Sequence, residues 1–396
     1  MDINQIDIQQ IVSKVIKSMN ENPSISLANT PKTAKVAMLT AKERLEIKSF
    51  DIPAITDDEV LVKVEGCGVC GTDVHEYKND PFELIPVVLG HEGTGTIVEL
   101  GKNVKKDLLN NPLKVGDKIV TSVTLTGDDE YTTLKPEKAN LSDNMDVYGL
   151  MPEDHYHFNG WFGEYIILRK GSSIFRVNDM SLKERLLIEP LSVAVHAVER
   201  AKSTGLIKFN NFVLVQGCGP IGLSVLSVMR TLGTENIIAV DGDNKRLEMA
   251  KKLGAKYTFN FKDYSSFDEM KEKILEVSGG GVEFAFQCTG VPGAASTIYK
   301  FIKRGGGLCE VGFFVDNGDA KINPHHDICS KEITIVGSWV YTFADYATTL
   351  DFIRRAKGIG LPIEELVTHS FALDELNEAM AVNMRLEGIK VAYVNS

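Results

Sequence analysis

Cysteine is scarce in this sequence and is not arranged as a disulfide framework. The 396 residues include six cysteines, scattered in apolar or glycine-rich surroundings: Cys67, Cys70, Cys218, Cys288, Cys309 and Cys329. Such a distribution is typical of a protein in a reducing compartment. The N-terminus also lacks the apolar core and the small-residue cleavage site of a secretory signal. We therefore expect a cytoplasmic protein with free thiols.

Long apolar runs and an excess of positive charge are absent as well. No run approaches the roughly 20 apolar residues that a membrane-spanning helix needs. The net charge of −11 disfavours a surface for nucleic acid or for an anionic membrane. A hydrophobic content of 43% and a charged content of 24% are typical of a globular protein. A chain of this length suits two domains, and we expect no nucleic-acid and no membrane partner.

One short stretch concentrates groups that can bind a metal or carry a proton. It offers the Cys70 thiol, the Thr72 hydroxyl and the His75 imidazole, and His91 and Glu92 follow shortly after. Thiolate, imidazole and carboxylate are zinc ligands, and a catalytic zinc uses three of them and leaves a fourth position open. An isolated cysteine or histidine is more often a packing residue. The complete pattern Cys-Gly-Thr-Asp-x-His followed by Gly-His-Glu predicts a zinc site.

A second motif indicates a dinucleotide-binding unit. The apolar strand 212–215 is followed by Gly217-Cys218-Gly219-Pro220-Ile221-Gly222, then by a helical pattern and a second strand that ends at Asp241. A strand, this glycine pattern, a helix and an acid about twenty residues further on form a fingerprint for NAD. The alternative is a glycine-rich turn in another kind of α/β sheet.

The residues of this turn have separate physical roles. Gly217 permits the tight turn, Gly219 lets the backbone approach the pyrophosphate, and Gly222 lets the helix pack closely on the strand. Pro220 and Ile221 begin the helix, whose N-terminus is expected to face the pyrophosphate. All of them are therefore candidate cofactor-binding residues.

These motifs together make the sequence similar to the zinc-dependent medium-chain alcohol and polyol dehydrogenases. The likeness runs from about Lys35 to the C-terminus. It implies an α/β fold with a GroES-like, β-rich catalytic domain (35–189 and 337–396) and a Rossmann domain with a doubly wound parallel sheet (190–336). Short strand-like runs broken by turns in the first part agree with this architecture. The strands and helices that alternate after residue 212 predict a six-stranded parallel sheet.

The resemblance assigns zinc ligands to particular residues. It implies that Cys70 and His91 are two of them. Glu189 occupies the position of a third group at the zinc, which is Cys in the classical alcohol dehydrogenases and Glu in the polyol and butanediol branch. Glu92 is either a direct ligand or a group that exchanges with one, and both arrangements stay open. Asp73 is expected to orient a ligand by hydrogen bonding.

The resemblance also implies a proton relay and a ribose site. In the family a hydroxyl at the position of Thr72 bonds the substrate oxygen and begins the relay. His75 then passes the proton to solvent through the cofactor ribose, unless it is an ordinary exposed turn histidine. Asp241 is expected to hold the adenosine ribose. Arg246 falls where the family keeps a cation near that ribose, although an arginine on a helix surface would look the same.

Two further regions give narrower expectations. Many relatives hold a structural zinc with four closely spaced cysteines in the region of residues 121–160, which here contains no cysteine. We therefore expect one catalytic zinc and no structural zinc. His155 and His157 lie in this region without thiolates and are expected at the surface. Tyr77 and Trp161 either line the substrate pocket or pack in the core.

The N-terminal extension stands apart from the rest. Residues 1–19 are predicted to form a short amphipathic helix, and residues 20–34 a polar, proline-containing linker. This pattern resembles the encapsulation peptides of cargo enzymes of bacterial microcompartments. It implies docking on a shell protein and a location inside such a compartment. The alternative is that the helix packs on its own subunit or on a neighbouring one.

The resemblance implies an NAD-dependent zinc dehydrogenase. Its substrate would be a small secondary alcohol, diol, polyol or amino alcohol, interconverted with the carbonyl compound. We also expect a homodimer or a homotetramer. Two other classes are a zinc-free NAD(P)H reductase of the same superfamily and a non-catalytic NAD-binding structural protein. The complete ligand set disfavours the first, and the presence of both Thr72 and His75 disfavours the second.

Overall fold

The computed structural model describes residues 30–126, 131 and 134–395. The predicted helix of residues 1–19 and most of the linker lie outside the described residues. The strands in chain order are β1 Thr33–Ala41, β2 Arg44–Asp51, β3 Val60–Val69, β4 Val87–Val88, β5 Glu92–Leu100, β6 Lys118–Thr126, β7 Met145–Val147, β8 Tyr165–Leu168, β9 Ser172–Arg176, β10 Phe212–Gln216, β11 Asn236–Asp241, β12 Tyr257–Asn260, β13 Val282–Gln287, β14 Ile302–Glu310, β15 Thr334–Gly337, β16 Val367–Phe371 and β17 Lys390–Val394. The α-helices are α1 Gly71–Asn79, α2 Leu182–Leu186, α3 Ile188–Lys202, α4 Pro220–Thr231, α5 Asn244–Lys252, α6 Phe267–Val277, α7 Pro292–Thr297, α8 Phe343–Gly358 and α9 Leu376–Met384.

The first part of the chain and its last segment form a β-rich domain. One sheet has the order β16-β17-β3-β5-β6-β7, with β8 beside β3 and β9 beside β6, and a smaller sheet has the order β2-β1-β4. Most residues of β1 and β3 are buried, as expected for strands that cover an apolar core. The C-terminal strand β17 pairs antiparallel with β3, with Val391 opposite Val69. This pairing brings the start of β17 to the end of β3, where α1 begins.

The middle of the chain forms a doubly wound sheet. Within the described residues it has six parallel strands in the order β12-β11-β10-β13-β14-β15. The chain runs outwards from β10 to β12 on one side and from β13 to β15 on the other. In such sheets ligands bind at the carboxyl ends of the strands, beside the point where the order reverses. The six-stranded parallel sheet and the α/β fold predicted from the sequence are confirmed.

A pair of helices joins the two regions. Helix α3 follows the β-rich domain, and α8, which follows β15, packs against it. The Tyr346 hydroxyl of α8 donates a hydrogen bond to the carbonyl of Thr121 in β6, at 3.0 Å. Both connections between the domains therefore lie close together, beside β6. None of the helices in the described part of the chain combines the length and apolarity needed to cross a bilayer.

Candidate active site

Cys70, His91 and Glu92 meet where two strands of the β-rich domain are paired. Cys70 caps the N-terminus of α1 directly after β3, and Glu92 opens β5. Because Gly68 of β3 lies opposite Glu92, the sheet register brings these strand ends together. One ligand atom from each of the three residues lies within 4.8 Å of the others. The sequence-predicted ligands Cys70, His91 and Glu92 thus form one cluster.

Asp73 connects the two strands that carry this cluster. It is fully buried, and its carboxylate accepts hydrogen bonds from the backbone N–H groups of Cys70, at 2.8 Å, and Gly90, at 3.1 Å. Its Oδ1 atom also lies 3.4 Å from Nδ1 of His91. Burial lowers the pKa of His91, but the Asp73 carboxylate and the Cys70 thiol outweigh it and hold that pKa well above its usual value. Such a carboxylate partner orients a metal-binding histidine, as the sequence predicts for Asp73.

Lys390 forms a buried ion pair with Glu92. Its Nζ atom lies 2.6 Å from both carboxylate oxygens of Glu92, and it also donates to the carbonyl of Val69 at 3.3 Å. Lys390 is 3% exposed and Glu92 is 2% exposed. Burial lowers the pKa of Lys390, but the charge of Glu92 raises it above its usual value. The ammonium group of Lys390 is therefore held in its charged form beside Glu92.

Glu189 approaches the cluster from helix α3. It lies in the first turn of α3 and is buried. Burial and the neighbouring charge of Glu92 raise the pKa of the Glu189 carboxyl to about 7, although His91 acts in the opposite direction. The Tyr341 side chain lies beside this carboxyl. The structure thus places Glu189 near Glu92 and His91, whereas the described residues whose ligand atoms meet as a possible metal site are Cys70, His91 and Glu92.

Acidic groups outnumber the lysine at this cluster. Cys70, Asp73, Glu92 and Glu189 can each carry a negative charge, whereas Lys390 supplies one positive charge. Buried charges are tolerated when they are paired or coordinate a metal, so this group of side chains favours a bound cation. Sulfur, imidazole nitrogen and carboxylate oxygen are donors that suit zinc. The residues present therefore fit a zinc ion.

Thr72 and His75 lie on the first turns of α1, beside the cluster. The Thr72 hydroxyl is 3.7 Å from the Cys70 sulfur. His75 lies three residues further, so both side chains occupy neighbouring positions on one helix face. Both are partly exposed. Burial, with a smaller contribution from the charge of Lys78, lowers the pKa of His75.

The glycine-rich turn after β10 adopts the conformation that the fingerprint predicts. Gly217 has a φ of +93°, and a Cβ atom on Gly222 would lie 1.8 Å from the carbonyl oxygen of Gly217. Gly219 is the N-cap of α4, and Pro220 is its first residue. A side chain at Gly217 or Gly222 would block the turn or the approach of the helix.

Asp241 lies at the carboxyl end of β11, beside this turn. Its carboxylate accepts hydrogen bonds from the backbone N–H groups of Cys218, at 2.6 Å, and Asp243, at 2.9 Å. A cavity of about 410 Å³ opens next to it and is lined by Gly217, Asp241, Phe261, Thr289, Val291 and others. The Arg246 guanidinium instead donates to the carbonyl of Leu386 at 3.5 Å.

Comparisons with known proteins agree on one family. Residues 220–355 match the family described as zinc-binding dehydrogenase, and residues 56–179 match the alcohol dehydrogenase GroES-like domain. The sorbitol dehydrogenase of Bacillus subtilis is 30% identical over 367 residues, which cover 91% of this chain and 97% of that protein. The chain belongs to the zinc-binding medium-chain dehydrogenases.

Two more proteins are similar to this dehydrogenase over most of their length. The (R,R)-butanediol dehydrogenase of Bacillus subtilis is 30% identical over 358 residues, covering 87% of this chain and 94% of that protein. The crystal structure of an alcohol dehydrogenase from Thermotoga maritima is 28% identical and has a TM-score of 0.85, covering 92% of this chain and 100% of that one. The sequence-based predictions of a dehydrogenase, and of a GroES-like domain beside a Rossmann domain, are confirmed.

Two aromatic residues of the dehydrogenase lie in the core. The Tyr77 ring is buried, and its hydroxyl donates to the carbonyl of Glu43 at 2.8 Å. Trp161 is fully buried, against the backbone of Gly93. Of the two alternatives that the sequence leaves open for Tyr77 and Trp161, the structure favours packing.

Lys390 is the functional residue that sequence reasoning missed. It opens the otherwise apolar strand β17, and its ammonium group is buried. A lysine within a buried apolar strand is unusual, because an unpaired ammonium group is costly to bury. The lysine in an apolar strand was the signal that the sequence offered. Its partner Glu92 lies 298 residues away in the chain, and no local pattern identifies it.

Proposed function

We propose that this dehydrogenase uses one zinc ion and NAD to interconvert a small secondary alcohol, diol, polyol or amino alcohol with its carbonyl compound. The observation that carries the proposal is the cluster of Cys70, His91 and Glu92 beside the Thr72 hydroxyl. The names of the curated relatives, sorbitol dehydrogenase and butanediol dehydrogenase, support the substrate class. We further propose a homodimer or a homotetramer.

Each residue of the site has a distinct part in this proposal. Cys70, His91 and either Glu92 or Glu189 hold the zinc, and Lys390 compensates the charge of Glu92. When bound, the zinc supplies Lewis acidity and the nicotinamide supplies a hydride acceptor. The Thr72 hydroxyl orients the alcohol hydroxyl and receives its proton, which His75 passes on to solvent.

The cofactor preferred in this proposal is NAD. The Asp241 carboxylate is fixed beside the cofactor cavity and can accept hydrogen bonds from the ribose hydroxyls. The 2′-phosphate of NADP would meet a like charge there, at a cost of roughly 1–3 kcal/mol if partly screened. Gly242 follows Asp241 and offers no cation to offset it.

A substrate panel with metal analysis tests the proposal. In this experiment alcohols, diols, polyols and amino alcohols are assayed with NAD and NADP, and the matching ketones with the two reduced cofactors. At least one secondary alcohol should react, with a clear preference for NAD. Activity should disappear with a chelator, return with zinc, and accompany roughly one zinc per chain. Two tightly bound zinc ions per chain, or equal efficiency with NADP, would contradict these assignments.

We propose in addition that residues 1–19 dock the enzyme on the shell of a bacterial microcompartment. A helix of this length is only marginally stable alone in water, so its apolar stripe favours a groove on a partner. The predicted linker joins it to the domain fold, in which β1 begins at Thr33, just before the predicted end of the linker. Inside such a shell the enzyme would recycle NAD with a small alcohol–carbonyl pair.

Deletion and fusion experiments test this docking proposal. Removing residues 1–30 should leave the activity and oligomeric state unchanged. Fusing residues 1–30 to a fluorescent protein should direct it to a co-expressed shell, and a fusion with Ile11 and Val15 changed to Asp should stay diffuse. Loss of activity or of assembly upon deletion would assign the segment to packing within the enzyme instead.

A further inference from the structure

Phe314, in the loop after β14, reaches from the Rossmann domain to helix α1 of the catalytic domain. Its ring centroid lies 5.5 Å from that of the His75 imidazole, and the two planes meet at 83°. Aromatic rings favour this edge-to-face arrangement at such distances. The ring also covers Gly71, where a Cβ atom would lie 2.9 Å from Cζ of Phe314. A side chain from the other domain thus packs on the first turns of α1.

The loop that carries Phe314 is braced by its own domain. The Asn317 side chain donates a hydrogen bond to the carbonyl of Gly290 at 3.1 Å. Gly312 packs so closely on Thr289 that a Cβ atom would lie 1.9 Å from the Thr289 carbonyl oxygen. Thr289 lines the cavity beside the glycine-rich turn. The position of Phe314 is therefore tied to a wall of the cofactor cavity.

The packing of Phe314 is unusual for a residue that serves stability alone. The residue remains 41% exposed, so this packing removes only part of its apolar surface from water. What the ring covers is a titratable side chain, His75. Among the described residues, the charge that acts on His75 is that of Lys78 on the same helix, and Phe314 itself is uncharged. Phe314 therefore acts on the imidazole through burial and contact.

The geometry points to Phe314 as a positioning residue that fixes the His75 imidazole and shields it from water. The inference rests on the proposed function, in which His75 carries a proton to solvent, and deepens it. A relay requires its groups to be held in a narrow range of orientations, and a packed ring removes the rotational freedom of a partly exposed imidazole. Because the loop is braced on the cofactor cavity, the Rossmann domain supplies this restraint to the catalytic domain.

Titration of His75 by NMR in the full-length enzyme, with labelled histidine, tests the inference. His75→Gln identifies the signal. Phe314→Ala should raise the pKa of His75 towards the ordinary value of about 6.5, because water then reaches the imidazole. Phe314→Tyr retains the ring and should leave the titration unchanged. Phe209→Ala, the same change at a ring that is 96% exposed, controls for the substitution itself.

The pH dependence of kcat/KM supplies a second readout. His75 must be neutral to accept a proton, so a higher pKa moves the acidic limb of the profile to higher pH in Phe314→Ala only. An unchanged titration in Phe314→Ala, or an equal shift in Phe314→Tyr, would overturn the inference. Inactivity of the wild-type enzyme with every substrate and ketone would refute the proposed function instead, while the NMR titration would still decide whether Phe314 shields His75.

Discussion

Cys70→Ser and His91→Ala should each lower turnover by about 10³-fold or more and remove the zinc. Such a loss corresponds to about 4 kcal/mol of transition-state stabilisation, within the range that a metal ion supplies as a Lewis acid. Each change removes a donor from the cluster, and the remaining groups no longer match the three-ligand arrangement of a catalytic zinc. Zinc per chain and kcat/KM, measured on the same preparations, check this result.

We expect the fold to survive both substitutions, so that a loss of activity reports on the zinc site. The Cys70 sulfur is half-buried and has the Thr72 hydroxyl, at 3.7 Å, as its hydrogen-bond partner, so Cys70→Ser opens little space. Cys329→Ser, the same change at an exposed thiol, serves as the matched control and should keep full zinc and activity. A Cys70→Ser enzyme with normal zinc content and rate would exclude Cys70 as a ligand.

Lys390→Met should lower the free energy of unfolding by about 3–5 kcal/mol. The change leaves Glu92 buried and unpaired next to Glu189, so that two carboxylates share a site of low polarity. Breaking one side of a buried pair is costly because the remaining charge has lost both water and partner. Urea unfolding followed by circular dichroism, at fixed protein and zinc concentrations, measures the change.

Two comparisons separate the buried pair from a general effect of losing a lysine. Lys251 pairs with Glu248 on the exposed face of α5, and Lys251→Met should cost less than about 0.5 kcal/mol. Adding Glu92→Gln to Lys390→Met should recover part of the lost stability, because the unpaired charge is then removed. If Lys390→Met costs no more than Lys251→Met, the buried pair contributes nothing to stability.

Much of the fold follows from local sequence patterns. The apolar strand 212–215, the glycine-rich turn and the helix after it lie next to one another in the chain, and the structure has β10, the turn and α4 in these places. The alternation of strands and helices then specifies a parallel sheet, because consecutive parallel strands need a crossover. Element boundaries differ slightly, as for the strand predicted over residues 212–215, which ends at Gln216.

The candidate site was only partly accessible to sequence reasoning. Cys70 caps the short helix that carries Thr72 and His75, so their spacing alone predicts that they lie together. His91 and Glu92 lie beside these residues because β3 and β5 pair. The resemblance to the family implies that the two motifs meet, but the spacing of the residues in the chain does not predict it. The sequence left open whether Tyr77 and Trp161 pack in the core or line the substrate pocket, because an aromatic residue has the same local sequence pattern in both places.

The chemistry available at this site follows from short motifs of residues that are close in the chain: a thiolate, an imidazole, carboxylates, a hydroxyl beside them, and a glycine-rich turn for a dinucleotide. The groups that compensate and restrain these residues are identified by their contacts in the folded protein. Lys390 reaches Glu92 because β17 pairs with β3, and Phe314 reaches His75 because a braced loop crosses between domains. Such contacts join residues far apart in the chain, and their side chains meet only when the sheets and domains have packed, so no local spacing encodes them.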